Sequence, residues 1–147
     1  MTALDDLRAH AAETAALEQV AGRLSWDMET VMPPAAADQR GDEMAAMEGV
    51  LHARRTDPRL GDWLDEARPA TAQDHAAIRL IARAHDRATR VPAKLSADIA
   101  RAPSRAHRIW AAARAEGDVA AFLPALTEVV ALKREEGAAL ARGGDVY

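Results

Sequence analysis

Ten residues, Ser25 to Pro34 (SWDMETVMPP), close a long helix-period pattern and forbid its continuation. Upstream, Leu4, Leu7, Ala11, Leu17, Val20, Ala21 and Leu24 recur at three- and four-residue steps, with Thr2 as N-cap and Asp5 as a first-turn acid. At the other end Trp26 is followed at once by Asp27, and Pro33 and Pro34 lack the backbone donors that a helix needs. The pattern predicts one long helix ending at Trp26 and Asp27, with the rest of the chain returning around that corner. Trp26 reads as a core plug that anchors the chain's exit. Asp27 and Glu29 have the look of an acid–base pair, yet the sequence offers them no pocket. A helix-end carboxylate held by backbone or by an arginine is the better reading.

Past the prolines, Arg40, Met44, Met47, Leu51 and Arg54 share one face of a second helix that stops at Thr56, the methionines serving as core filler. Asp57 caps a short third helix from Pro58, where a missing donor is harmless, and Leu60, Trp63 and Leu64 form its stripe. Thr71 to Asp74 resembles a capping box for a fourth helix with Ile78, Ile81, His85 and Ala88 inward. Arg90-Val91-Pro92 ends it. A short helix from Pro92 to Arg101 then turns Leu95 and Ile99 inward, and Pro103 opens another through Ile109, Trp110 and Ala113 to Gly117. Asp118 caps the last helix, whose stripe runs Phe122, Leu126, Val129, Val130, Lys133 and Leu140. Pro124 falls early enough to bend it, and Gly143-Gly144 stops it. No segment sustains period-two alternation. The expectation is an all-α fold of about six to seven helices in an antiparallel, bundle-like array without sheet, one domain over residues 1–147.

Apolar residues make up 49% of the chain and aromatics only 3%, so most of the apolar surface is alanine. Helices built this way approach closely instead of interlocking through large side chains. With no cysteine there is no disulfide framework and no thiolate site, which fits a reducing compartment. Asp5, Asp6 and Glu13 speak against a cleaved leader, and no apolar run reaches the ~18 residues of a membrane span. A soluble, cytoplasmic protein is expected, with no membrane partner.

The net charge of −4 hides an uneven distribution. Residues 1–78 carry a balance of −8, residues 79–114 one of +7, and residues 115–147 one of −3. An acidic half facing a basic segment is the simplest account. A nucleic-acid partner is not expected, because the basic segment offers one aromatic, Trp110, and no binding motif. Within it Arg79, Arg83 and Arg87 form a ridge at four-residue steps. Salt bridging to the acidic half is its default role, and gripping an anion is the sharper alternative.

The five histidines, His10, His52, His75, His85 and His107, include no His-Glu-x-x-His pair. His75 and His85 lie ten residues apart, about 80° out of alignment on a 3.6-residue helix, which argues against shared metal ligation. Nucleophile elbow, phosphate loop and dinucleotide fingerprint are all missing. No catalytic, cofactor-binding or metal-ligating residue is assigned from the sequence.

The corner motif, with Met32-Pro33 and Arg40 after it, nevertheless resembles the amino-terminal signature of the thermostable carboxypeptidase 1 (Taq carboxypeptidase) family, zinc metallopeptidases that trim peptide C-termini. Further blocks follow in order: His52 with Thr56-Asp57-Pro58 and Leu60-Gly61; Arg79, Arg83, Arg87 and Val91-Pro92 with Leu95; then Ser104, Trp110, Ala113-Arg114, Asp118, Phe122, Pro124 and Leu126 through Lys133-Arg134-Glu135. The resemblance implies the amino-terminal, non-catalytic helical part of such an enzyme, forming one wall of a substrate groove. Zinc ligands, general base and carboxylate-binding residues of the family lie in later motifs, so zinc is implied for the whole protein and not for this stretch. The implied partners are the catalytic remainder and, in the whole protein, a peptide substrate. The alternative is a self-standing helical interaction or dimerisation module without activity. Either way, an apolar face left uncovered is expected, open to self-association.

Overall fold

Three of the helices begin where a side chain satisfies the first free backbone donors. Thr2 and Asp5 form a reciprocal capping box on α1 (Ala3–Thr30), and Thr71 and Asp74 form another on α4 (Ala72–Arg90). Asp118 accepts from the Ala121 amide at the start of α6 (Val119–Leu140). A 3-10 turn (Pro34–Ala36) leads into α2 (Ala37–Arg55), and α3 (Arg59–Glu66) and α5 (Ala93–Glu116) complete the order. This computed structural model describes residues 2–141 and 143–144, and among them there are six α-helices and no strand.

Two boundaries differ from the sequence-based expectation. The first helix does not stop at Asp27 but runs to Thr30, and the Val31 and Met32 amides both donate to the Asp27 carbonyl. Nothing at Asp27 breaks a helix; the constraint comes from Pro33, which restricts the residue before it. The second difference is α5, which is one helix where two were expected, with Pro103 inside it. An interior proline removes one hydrogen bond, worth ~3 kcal/mol with its steric clash, and packing against α2 offsets it. Ala37, Gly41 and Ala45 are buried at four-residue steps along α2, and Ser104 of α5 sits among them, 1% exposed, donating to the Ala37 carbonyl at 2.8 Å. At Gly41 the approach is close enough that a Cβ would lie 3.1 Å from Cγ of Arg101.

A small core gathers at the opposite end, where Leu7 (0% exposed), Leu60 and Ala67 are packed around by Leu4, Trp63, Leu64, Ile78 and Ile81. Burying one leucine here contributes ~2–3 kcal/mol. Elsewhere burial is shallow, as an alanine-rich composition requires. Trp26 is 63% exposed and not a core plug. It lies one residue, about 100° of helical rotation, before Asp27, whose side chain is turned towards Arg40. The stripe expected on α6 is also rotated. Ala125 is its buried residue, whereas Leu126 and Val130 face outward.

Candidate functional site

The corner that closes α1 is held by Arg40. Its guanidinium donates to the Leu24 carbonyl at 2.7 Å and pairs with Asp27 at 2.6 Å and Glu43 at 2.8 Å. Asp27 is therefore the anchor of a helix end, and Glu29 lies exposed beside it. The two carboxylates are not brought together as an acid–base pair.

Histidines fasten helices to one another. The His52 Nε2–H donates to the Val91 carbonyl at 2.7 Å, and the His85 Nδ1–H donates to the Arg55 carbonyl at 2.8 Å, so α2 and α4 are pinned from both sides. Each carbonyl can only accept, which fixes the proton on those ring nitrogens. The His107 ring lies tilted against that of Trp110, with centroids 5.7 Å apart. His10 is buried against the edge of Trp63, and its Nε2 has no hydrogen-bond partner and lies 3.8 Å from Asp57. Burial, then the charge of Arg54, hold its pKa below 6.5, so the pair with Asp57 is not an ion pair at neutral pH. His75 lies exposed near the start of α4. Among the described residues no three His, Asp or Glu side chains converge as a metal-binding group.

The acidic half satisfies much of its own charge instead of waiting for the basic segment. Arg54 binds Glu13, Thr14 and the His10 carbonyl, Arg55 binds Glu18 and Glu48, Arg59 binds Asp57, and Arg8 binds Asp74. A link across the two charge segments is Arg101 to Asp42 at 3.1 Å. The ridge on α4 is correspondingly unmatched. Among the described residues Arg79, Arg83 and Arg87 make no ion pair, contrary to the salt-bridged role expected of them. Arg83 and Arg87 instead line a groove of about 460 Å³ between α2, α4, α5 and α6. Glu48 and Ser96 of this groove, joined at 2.6 Å, went unnoticed in the sequence because no spacing rule links α2 to α5.

A second surface is apolar. Val119, Leu123, Leu126 and Val130 are 69%, 50%, 40% and 38% exposed and fall on one stripe of α6. Next to it Trp110, Phe122 and Leu126 line a shallow depression with Pro103 and His107.

The Carboxypeptidase Taq (M32) metallopeptidase family model matches residues 6–147. This chain belongs to the M32 carboxypeptidase family. Thermostable carboxypeptidase 1 of Thermus thermophilus is 35% identical to it over 134 residues, 87% of this chain and 26% of the relative. A solved structure described as "The Structure of CHT" superposes with a TM-score of 0.69 at 29% identity, over 99% of this chain and 30% of that one. The M32 chain described here thus spans between a quarter and a third of the length of these relatives. The family's metal does not find its donor set among the described residues. No helix among them is long and apolar enough to cross a membrane.

Proposed function

We propose that residues 1–147 form one helical domain that serves as the amino-terminal, non-catalytic wall of the substrate groove in a zinc-dependent carboxypeptidase acting on peptide C-termini. The observation that carries this reading is the combination of an M32 match over residues 6–147 with a span of only 26% of the Thermus thermophilus relative. The described side chains supply no metal-binding group, so in this reading the zinc and the groups around it come from the remainder of the enzyme. The exposed stripe on α6 supports the same assignment, since a run of large aliphatic side chains in water is a face built to be covered. The remainder is the partner proposed for that face, and a peptide is the substrate of the whole.

A chimera tests the proposal. In thermostable carboxypeptidase 1, this chain replaces the segment it matches, and release of C-terminal residues from a peptide is measured beside the same assay on this chain alone. The expected result is activity in the metal-loaded chimera and none in the chain alone. A homogeneous preparation of the chain that hydrolyses peptides, or that takes up stoichiometric zinc tightly, would defeat the proposal. So would a soluble chimera with full metal content and no activity.

A further inference from the structure

The groove between α2 and α4 has an imbalance that the carboxypeptidase reading does not use. Of its charged lining, Glu48 is held by Arg55 and by the Ser96 hydroxyl, and Glu136 is held by Lys133 at 2.9 Å. Arg83 and Arg87 remain, exposed on the α4 wall with no carboxylate in ion-pair reach among the described residues. Leu80, Val91 and Leu140 line the same groove as an aliphatic surface. Two unsatisfied guanidinium groups above an aliphatic surface suit a ligand that is itself anionic and partly apolar. Guanidinium forks favour carboxylates in bidentate geometry.

We propose that this groove binds an extended acidic peptide segment through Arg83 and Arg87. The two arginines stand one turn apart, ~5–6 Å between their Cβ atoms. Same-side residues of an extended chain are separated by roughly 6.6 Å, so two carboxylates in alternate positions meet the two guanidinium groups. Leu80, Val91 and Leu140 give the apolar parts of such a segment a surface to lie against. Free phosphate cannot use the aliphatic surface, and a single-stranded nucleic acid finds no Phe, Tyr or Trp lining the groove on which a base could stack, His52 being tied to the Val91 carbonyl. This proposal does not depend on the groove belonging to a peptidase.

Fluorescence anisotropy on the full chain tests it. The probe is a short, fluorescein-labelled, end-capped peptide alternating alanine and glutamate, with a glutamine version as control. Saturable binding of the glutamate peptide is expected, with a Kd at least about tenfold weaker for the glutamine peptide and for the double variant Arg83→Gln, Arg87→Gln. Arg108, exposed on α5 away from the groove, supplies the control Arg108→Gln, which is expected to bind as the parent does. Circular dichroism keeps the fold in view, since both ridge arginines are exposed and their replacement leaves helicity unchanged. The proposal fails if the glutamate peptide does not bind, or if it binds equally to the folded double variant. It fails too if inorganic phosphate or a short single-stranded oligonucleotide displaces the peptide at concentrations matching its own Kd. Because the readout is binding alone, an inactive chimera leaves this result standing, and a failure here leaves the chimera result standing.

Discussion

Arg40 and Asp27 meet at 2.6 Å, and through that contact α2 is tied back onto the end of α1. The same guanidinium takes up the Leu24 carbonyl at 2.7 Å, inside the last two turns of α1. One side chain thus fixes both the direction of the exit and the start of the return. Replacing Arg40 with alanine strands a half-buried carboxylate and a carbonyl together. A loss of about 2–3 kcal/mol is expected, read as a lower urea midpoint with unchanged slope. Lysine carries the charge but cannot address Asp27, Glu43 and the carbonyl with one fork, so Arg40→Lys is expected to recover less than half of the loss. Full recovery by lysine would show that charge alone holds the corner.

The packing of α5 on α2 depends on small groups. Removing the Ser104 hydroxyl leaves the buried Ala37 carbonyl without its donor, and Ser104→Ala is expected to cost about 1–3 kcal/mol. At Gly41 a leucine has no room, because even a Cβ comes within 3.1 Å of Arg101 and 3.4 Å of its backbone oxygen. Gly41→Leu is expected to force the helices apart, with a loss above that of Ser104→Ala. Thermal melts of both variants check this, and a Gly41→Leu protein as stable as the parent would contradict the close approach.

These two regions differ in how far the sequence disclosed them. The corner was legible because Asp27, Met32-Pro33 and Arg40 are near in sequence and each has a local meaning: carboxylate, helix stop, cation. Both capping boxes were legible for the same reason. The α5 helix was not, since Pro103 is a helix start by every local rule and only its neighbour Ser104, reaching 67 residues back to Ala37, overrides that. Ala37, Gly41 and Ala45 did carry a signal in their four-residue spacing, but alanine is too common here to single them out. The role of the α4 ridge was misread because charge totals predict attraction between segments without saying which side chains meet. Arg54 and Arg55 had already taken Glu13 and Glu18 of α1.

The outward stripe of α6 contributes little to the stability of this chain, since its side chains remain in water. Leu123→Lys with Val130→Lys is expected to change the unfolding free energy by less than about 0.5 kcal/mol while raising solubility. In sedimentation velocity, any concentration-dependent association of the parent is expected to vanish in the double variant. A strong loss of stability would mean that the stripe is packed within the chain and not available to a partner.

The buried end of α4 gives an acid-sensitive element. Asp74 accepts from the Ala70 and Thr71 amides at 3.0 and 2.9 Å and pairs with Arg8, and the backbone hydrogen bonds hold its pKa below 3.8. Asp74→Ala removes the cap and leaves both amides unsatisfied, so a lower urea midpoint is expected, with asparagine recovering part of it. Equal midpoints for alanine and asparagine would show that the cap is without effect.

His10 and Asp57 face each other, and they make opposite demands on protons. Burial and Arg54 keep the His10 ring neutral in the folded state, whereas the unfolded chain takes up its proton near the usual 6.5. The unfolded state therefore binds more protons below that value, and stability is complete above it and declines as the pH falls through it. Asp57 acts lower on the scale. Its hydrogen bonds from Arg59 bring the carboxyl to about 2, so its contribution is full above 3.8 and is lost as the pH falls towards 2. Urea midpoints measured from about pH 7.5 down to about pH 2.5 are expected to fall in two steps. Replacing His10 with phenylalanine removes the upper step, because the partnerless Nε2 and its titration disappear together, while the lower step persists. Arg59→Ala is expected to shrink the lower step and spare the upper one. If the His10→Phe protein keeps the same slope between about pH 7 and pH 5 as the parent, the upper step belongs to another group.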